Sequence, residues 1–438
     1  MKRLVELARH QPPAFTVSGI VSRINPSFVT ASGLSKFVTI GDAVSVEGAA
    51  GSVLAEVAAI DADSINITPL RSNSKITLGA AVHTLFGPLR LQPHESWSGR
   101  AINSLGEPVD GLGPIRLGGK PVSLHNKPPP AMARARLGQF IPTGIKAIDL
   151  FTPICSGQRI GVFAGSGVGK STLLAMLSRV KAFDRIVIAL VGERGREVRD
   201  FLDDALAENR SRVIAVVATS DESAMMRRLA PDAAMTIAEY FRDAGENVLL
   251  IIDSITRLAH AIRELALAIQ EPPVARGYPP SVFGAFPQLL ERAGPGENGT
   301  GSITAFVSVL VDGDDHNEPI ADAVRGILDG HIVLDRAIAA QGRFPALDPL
   351  RSLSRLAPKL RDAKQAQFAS QIIDMIARFE DTRDLRTMGG YQKGHDPALD
   401  RAIELVPRLY DALKQQLDTP SVDDVYAFLF QSLKVGTR

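Results

Sequence analysis

Four side chains in this sequence could act together on a phosphate anhydride: Lys170, Ser171, Glu193 and Asp253. The first two belong to the segment "FAGSGVGKSTLL" at residues 163–174, which follows the phosphate-loop pattern G-x-x-x-x-G-K-[ST] except at its first position, where Ala164 stands for glycine. In such a loop the later glycines let backbone N–H groups wrap around a β-phosphate. Gly165, Gly167 and Gly169 are present, with Ser166 and Val168 between them. Lys170 can reach the β- and γ-phosphates, the Ser171 hydroxyl suits Mg²⁺, and Thr172 continues into a helix whose N-terminus favours an anion. An alanine at the first position restricts only the backbone angle there. The spacing therefore predicts a working nucleotide site.

Hydrolysis needs more than a cradle. "NVLLIIDSITR" is an apolar run ending in Asp253, where a carboxylate can hold the Mg²⁺ shell through water. Many such enzymes place a water-polarising glutamate directly after this aspartate; here the next residue is Ser254. Glu193, in "VGERGREVRD", is the preferred substitute, because it ends the strand after the phosphate-loop helix and so shares the carboxyl edge of a parallel sheet with the loop and Asp253. Glu197, four residues on, reads as a first-turn helix residue. Charge developing on the γ-phosphate calls for an arginine, worth about 10³–10⁵ in rate where one is supplied as a finger. "RSLSRLAPKL" offers Arg351 and Arg355. They lie so far along the chain that action on a neighbouring subunit is natural, and the residues alone leave a surface ion pair equally open.

These groups must be held by elements, and three textures divide the chain. Over residues 1–95, "AFTVSGIVSRI", "FVTIGDAVSVEG", "SVLAEVAAID" and "SINITPL" are short β-rich runs punctuated by Gly, Asn and Asp, which predicts a small antiparallel barrel or sandwich. A Pro-rich bridge leads into residues 96–358. There strand-like runs ("RIGVFAG", "RIVIALVGE", "RVIAVVATS", "NVLLIIDS", "SITAFVSVLV") alternate with helical ones ("KSTLLAMLSRV", "REVRDFLDDALAEN", "DAAMTIAEYFRDAG"). That alternation predicts an α/β domain with a buried parallel sheet. Residues 359–438 read as a helical domain.

Composition narrows the class. The 438 residues carry a net charge of +1, with 45% apolar and 22% charged residues. This is a soluble globular balance with no general pull towards nucleic acid or membranes. The lone Cys155 excludes an intramolecular disulfide framework, fits a reducing cytosol and reads as a buried small residue. No apolar h-region opens the chain and no apolar run nears the roughly 18 residues that span a bilayer. The eight histidines show no metal-ligand spacing, so no metal is expected beyond nucleotide-bound Mg²⁺.

The segments "GQRIGVFAGSGVGKSTLLAML", "VGERGREVRDF", "LLIIDSITRLAHAIRE", "RGYPPSVFGAFPQLLERAG" and "DDHNEPIADAVRGILDGHIVLDR" occur in this order. Together they resemble the type III secretion ATPase family, which is related to the rotary ATP synthase subunits. The "FAGSGVGKS" form resembles its flagellar export branch. The resemblance implies a RecA-like P-loop NTPase core between the barrel and the helical domain. It further implies a cytoplasmic homohexameric ring, peripheral at the inner-membrane export gate, that hydrolyses Mg²⁺-bound ATP. Stator and central stalk proteins, and chaperone-bound flagellar export substrates, would be its partners. It implies phosphate contacts from Gly165 to Thr172, Mg²⁺ at Ser171 and Asp253, catalytic Glu193 beside Arg194 and Arg257, and Arg355 as the arginine finger. Phe344 would lie beside the adenine, with core packing as its plain alternative. "MGGYQKGHDPALDRAI" resembles the loop near the ring opening, either a stalk contact or a helix connector. Family members often carry a longer amphipathic N-terminus that docks the stator. Here only "MKRLVELARH" precedes the barrel, with Leu4, Leu7 and Ala8 as a small apolar stripe.

Four other readings compete. A virulence-system secretion ATPase differs by only a few residues around the phosphate loop. A rotary synthase catalytic subunit would share the site residues but carry an acidic loop where "GGYQKGHDPALDRAI" stands. A nucleic-acid translocase would need a basic barrel face with stacking aromatics. Up to Glu95 there are eight Lys/Arg against seven Asp/Glu and four scattered phenylalanines, so no nucleic-acid partner is expected. A non-catalytic ring subunit would lack the water-orienting carboxylate that Glu193 supplies.

Overall fold

A computed structural model describes residues 16–434, apart from residues 50, 73–74, 298–299 and 312–317. The stripe of Leu4, Leu7 and Ala8 lies outside the described residues.

Alternation of apolar and polar residues curls the first strands into a closed six-stranded antiparallel barrel. They are β1 (Ser18–Ile24), β2 (Val29–Ser32), β3 (Asp42–Gly48), β4 (Gly51–Ile60), β5 (Ser64–Pro69) and β6 (Ala81–Pro88), in the order β1-β2-β5-β4-β3-β6. Val21, Val44, Val46, Val57, Ile65 and Ile67 fill its interior. Closure leaves no free strand edge. Four of the strands coincide with runs read from sequence; β2 and β6 are additional.

The central domain is built on a sheet whose strands run β7 (Ala101–Ile102), β8 (Arg159–Ala164), β9 (Arg185–Val191), β10 (Val213–Ala218), β11 (Asn247–Asp253), β12 (Ser302–Leu310), β13 (Gly330–Leu334) and β14 (Leu353–Ser354) along the chain. Their spatial order is β14-β13-β8-β12-β11-β9-β10-β7. All neighbours are parallel except β13 and β14. The β9 residues Ile186–Val191 are all buried, as expected of strands covered on both faces. Helices α1 (Lys170–Ser178), α2 (Ala224–Asp243), α3 (Ile255–Ala268) and α4 (Pro280–Leu290) pack on the faces.

One helical expectation fails. "REVRDFLDDALAEN" is a short helix over Gly195–Asp200, then a wide π turn, then a 3₁₀ segment over Ala207–Arg212. The Leu206 N–H bonds the Phe201 carbonyl five residues back, while the Leu202 carbonyl is taken by Arg210 Nη1 at 3.0 Å. Those two bonds break the α-helical ladder.

The last helices are α5 (Ala363–Asp381), α6 (Pro397–Leu413) and α7 (Val425–Lys434). A capping box of Asp362 and Gln365 starts α5, and Asp396 followed by Pro397 starts α6. Their buried faces share one apolar cluster with α1: Ile372, Val406, Leu409 and Leu429 join Leu173 and Leu174. No helix among the described residues is long and apolar enough to cross a membrane.

Candidate nucleotide site

The parallel register brings the carboxyl ends of five strands together. Ala164 pairs with Leu310 and Leu334, and Leu190 pairs with Asp253. Over that edge lies a cleft of about 510 Å³, the usual location of a ligand in an open α/β sheet.

Its floor is the phosphate loop. Gly167 and Gly169 have φ of 79° and 90°, left-handed angles that favour glycine. Ala164 is the last residue of β8 and 1% exposed, in strand conformation, so its methyl group belongs in the core and no glycine is needed there. Gly169 is the N-cap of α1 and offers no side-chain acceptor, which leaves the first-turn N–H groups directed at the cleft.

Above the loop, three charged groups converge. Lys170 Nζ bonds Asp253 Oδ1 and lies 3.9 Å from Glu193 Oε1. Ser308 Oγ donates to the same Asp253 oxygen at 2.6 Å. Glu193 also faces Arg257 Nη2 at 3.9 Å, and Arg257 Nη1 donates to the Gly192 carbonyl at 2.8 Å. Burial pushes the Glu193 carboxyl above its usual range, and the Asp253 charge adds to this, while Lys170 and Arg257 oppose it. A carboxylate whose proton affinity is raised, 3.9 Å from the phosphate-loop lysine, suits a water-orienting base. Glu197, Val198 and Phe201 close the far wall.

The residues expected from sequence separate into three groups. Gly165, Ser166, Gly167, Gly169, Lys170, Ser171, Thr172, Glu193, Arg194, Asp253 and Arg257 line the cleft. Val168 is buried beneath it, at 1% exposure. Arg194 points largely to solvent and lies 3.6 Å from Glu197. Phe344 is not a lining residue; its ring backs the loop, 3.3 Å from where a Cβ on Gly169 would stand. Arg355 is elsewhere. It follows β14, whose Ser354 pairs with Gly330 at the start of β13, whereas the cleft lies beyond the ends of the parallel strands. Arg351 lies 3.5 Å from Asp335. Cys155 is buried. Sequence reading missed Ser308, whose signal was a hydroxyl in the otherwise apolar "SITAFVSVLV".

Ser171 and Asp253 place oxygen donors on one wall of the cleft, a hard and sparse donor set that fits Mg²⁺ shared with phosphates and water. No group of three or more metal-ligating side chains occurs among the described residues.

The ATP synthase alpha/beta family, nucleotide-binding domain, matches residues 144–354. The T3SS EscN ATPase C-terminal domain matches residues 362–430. The flagellum-specific ATP synthase of Agrobacterium fabrum is 54% identical over 100% of this chain and 93% of its own length. The assembled ATPase EscN of the enteropathogenic E. coli type III secretion system superposes with a TM-score of 0.88 at 38% identity, over 95% of this chain and 100% of that one. EscN in complex with its central stalk EscO gives 0.86, also at 38% identity and with the same coverage of both chains.

Proposed function

The chain belongs to the ATP synthase alpha/beta family, among the flagellum-specific ATP synthases, and on that premise we propose a ring-forming ATPase that energises export of flagellar proteins through a type III secretion apparatus. The observation that carries it is the convergence of Lys170, Glu193 and Asp253 over a glycine-rich phosphate loop. The flagellar reading is preferred to the virulence one because the flagellar relative is 54% identical and EscN 38%.

The geometry supports the following roles. Backbone N–H groups between Gly165 and Thr172 hold the β-phosphate of ATP. Lys170, which pairs with Asp253, would turn to the β- and γ-phosphates when ATP binds. Ser171 and Asp253 would hold Mg²⁺, which when bound neutralises charge on the phosphate oxygens. Glu193 orients the attacking water and accepts its proton, with Arg257 and Arg194 balancing charge at the rim. Phe344 supports the loop from behind and borders the adenine. Arg355, at the opposite edge of the sheet, serves a neighbouring chain, so the active unit is a homo-oligomer, a hexameric ring by this reading. The proposed partition is 1–95, 96–358 and 359–438. The ring works in the cytoplasm against the export gate at the inner membrane. Its partners are stator and central stalk proteins and chaperone-bound substrates; that EscN is found with a central stalk supports the stalk.

The test is ATP turnover per chain with Mg²⁺ across a range of protein concentrations. Turnover should rise with concentration, and Arg355→Ala should lower it by about 10³-fold or more. Turnover that is flat, substantial and indifferent to Arg355 would refute the shared site.

A further inference from the structure

Arg355 is an exposed side chain, yet the backbone that carries it is unusually well anchored. Its N–H donates to the Asp329 carbonyl at 3.0 Å, and the Asp329 N–H donates to the Arg159 carbonyl at 2.9 Å. The Asp329 carboxylate in turn grips Arg159: Oδ2 accepts from its backbone N–H at 2.9 Å and from Nε at 3.3 Å, and Oδ1 accepts from Nη2 at 3.4 Å. Arg159 Nη1 continues to Glu291 Oε1 at 2.5 Å. On the other side, buried Ser354 donates to the Pro153 carbonyl at 2.8 Å. The strand passes so close that a Cβ on Gly330 would lie 2.6 Å from the Leu353 carbonyl oxygen.

Asp329 and Arg159 are 22% and 16% exposed. Desolvation offsets much of the Coulombic gain of a partly buried ion pair, and such a pair can serve to fix geometry instead. All of these groups lie at the amino edge of the sheet, away from this chain's own cleft. The element they fix is the one bearing Arg355.

We infer that Asp329 is a positioning residue for Arg355: by clamping Arg159 with its carboxylate and Arg355 with its carbonyl, it fixes the root from which the arginine reaches a neighbour's γ-phosphate. This rests on the reading of Arg355 as a group acting between chains. A guanidinium misplaced by about 1 Å can lose roughly 10²-fold in rate, so the clamp acts on kcat and leaves nucleotide binding alone.

The experiment uses the full chain with Asp329→Asn, Arg159→Lys, Arg355→Ala and Glu193→Gln. Asp329→Asn should lower kcat about 10- to 100-fold, with KM and the Kd for a fluorescent ATP analogue unchanged. Arg159→Lys keeps the charge but loses the fork, so it should give a smaller loss of the same kind and serves if Asp329→Asn does not fold. Each variant is then mixed with Glu193→Gln chains, which are dead in their own clefts but carry an intact Arg355 arm. Recovery of turnover in the Asp329→Asn mixture supports the inference. Recovery with Arg355→Ala but not with Asp329→Asn or Arg159→Lys overturns it and leaves the shared site standing. Recovery with none of them overturns the shared site and the inference together. An undiminished kcat in folded Asp329→Asn or Arg159→Lys also overturns it.

Discussion

The phosphate loop shows how one residue's backbone angle decides what it tolerates. Gly169→Ala would place a methyl group at φ 90° and 3.3 Å from the Phe344 ring, and strain of about 1–3 kcal/mol should weaken ATP binding roughly 10- to 100-fold, measured by equilibrium titration. Ala164→Gly, in ordinary strand geometry, should leave that affinity unchanged. Glu193 gives a second prediction. It must be ionised to act as base, and Lys170 and, more weakly, Arg257 offset part of the rise that burial causes. Removing that cation in Arg257→Gln should therefore move the acid limb of the kcat–pH profile to higher pH, while Glu193→Gln should abolish the limb with the activity. Lys170, Ser171 and Asp253 were legible in the sequence because a loop motif and a strand end fix their positions. Ser308 was not, since a hydroxyl in a buried strand has the same sequence signature whether it fills the core or grips a carboxylate. Phe344 was placed near the nucleotide by resemblance, but its role behind Gly169 depends on packing that sequence does not encode.

Elements were legible in proportion to how completely they are buried. Strands β8 to β12 read directly because both faces are covered and their runs are continuously apolar. Strand β2 has four residues, and β6 reads "AVHTLFGP"; neither alternates long enough to be recognised before the barrel closes around it. The π turn after Asp200 was illegible because a side-chain bond from Arg210 takes the Leu202 carbonyl out of the helical ladder. Another long-range device joins the barrel to the core. Glu56 of β4 pairs with Arg228 of α2 at 2.6 Å, and about three turns further along α2, Arg292 forks onto Glu239 at 2.9 and 2.8 Å and reaches the Leu124 carbonyl at 2.8 Å. Both partners of that fork are almost wholly buried. Arg292→Ala should cost about 3–5 kcal/mol of stability by stranding Glu239, read by chemical denaturation. Combining it with Glu239→Gln should recover part of the loss, since the stranded charge is then gone.

At the scale of the whole molecule, the helical tail and the nucleotide site are one body. The tail's Leu409 and Leu429 share a core with Leu173 and Leu174 of α1. Gln415 accepts from the Lys146 N–H at 3.0 Å, donates to the Gly144 carbonyl at 2.8 Å and, through its backbone N–H, bonds the Phe344 carbonyl at 2.8 Å. Truncation after residue 358 should thus expose apolar surface and abolish ATP binding together, as light scattering and titration would show. The opposed placement of the cleft and Arg355 carries a consequence for symmetry. In a head-to-tail assembly each chain offers its amino edge to one neighbour and its carboxyl edge to the other. Such contacts either close into a ring or run on as a filament. In the proposed closed ring every chain would use both edges, and each interface would also be a catalytic site.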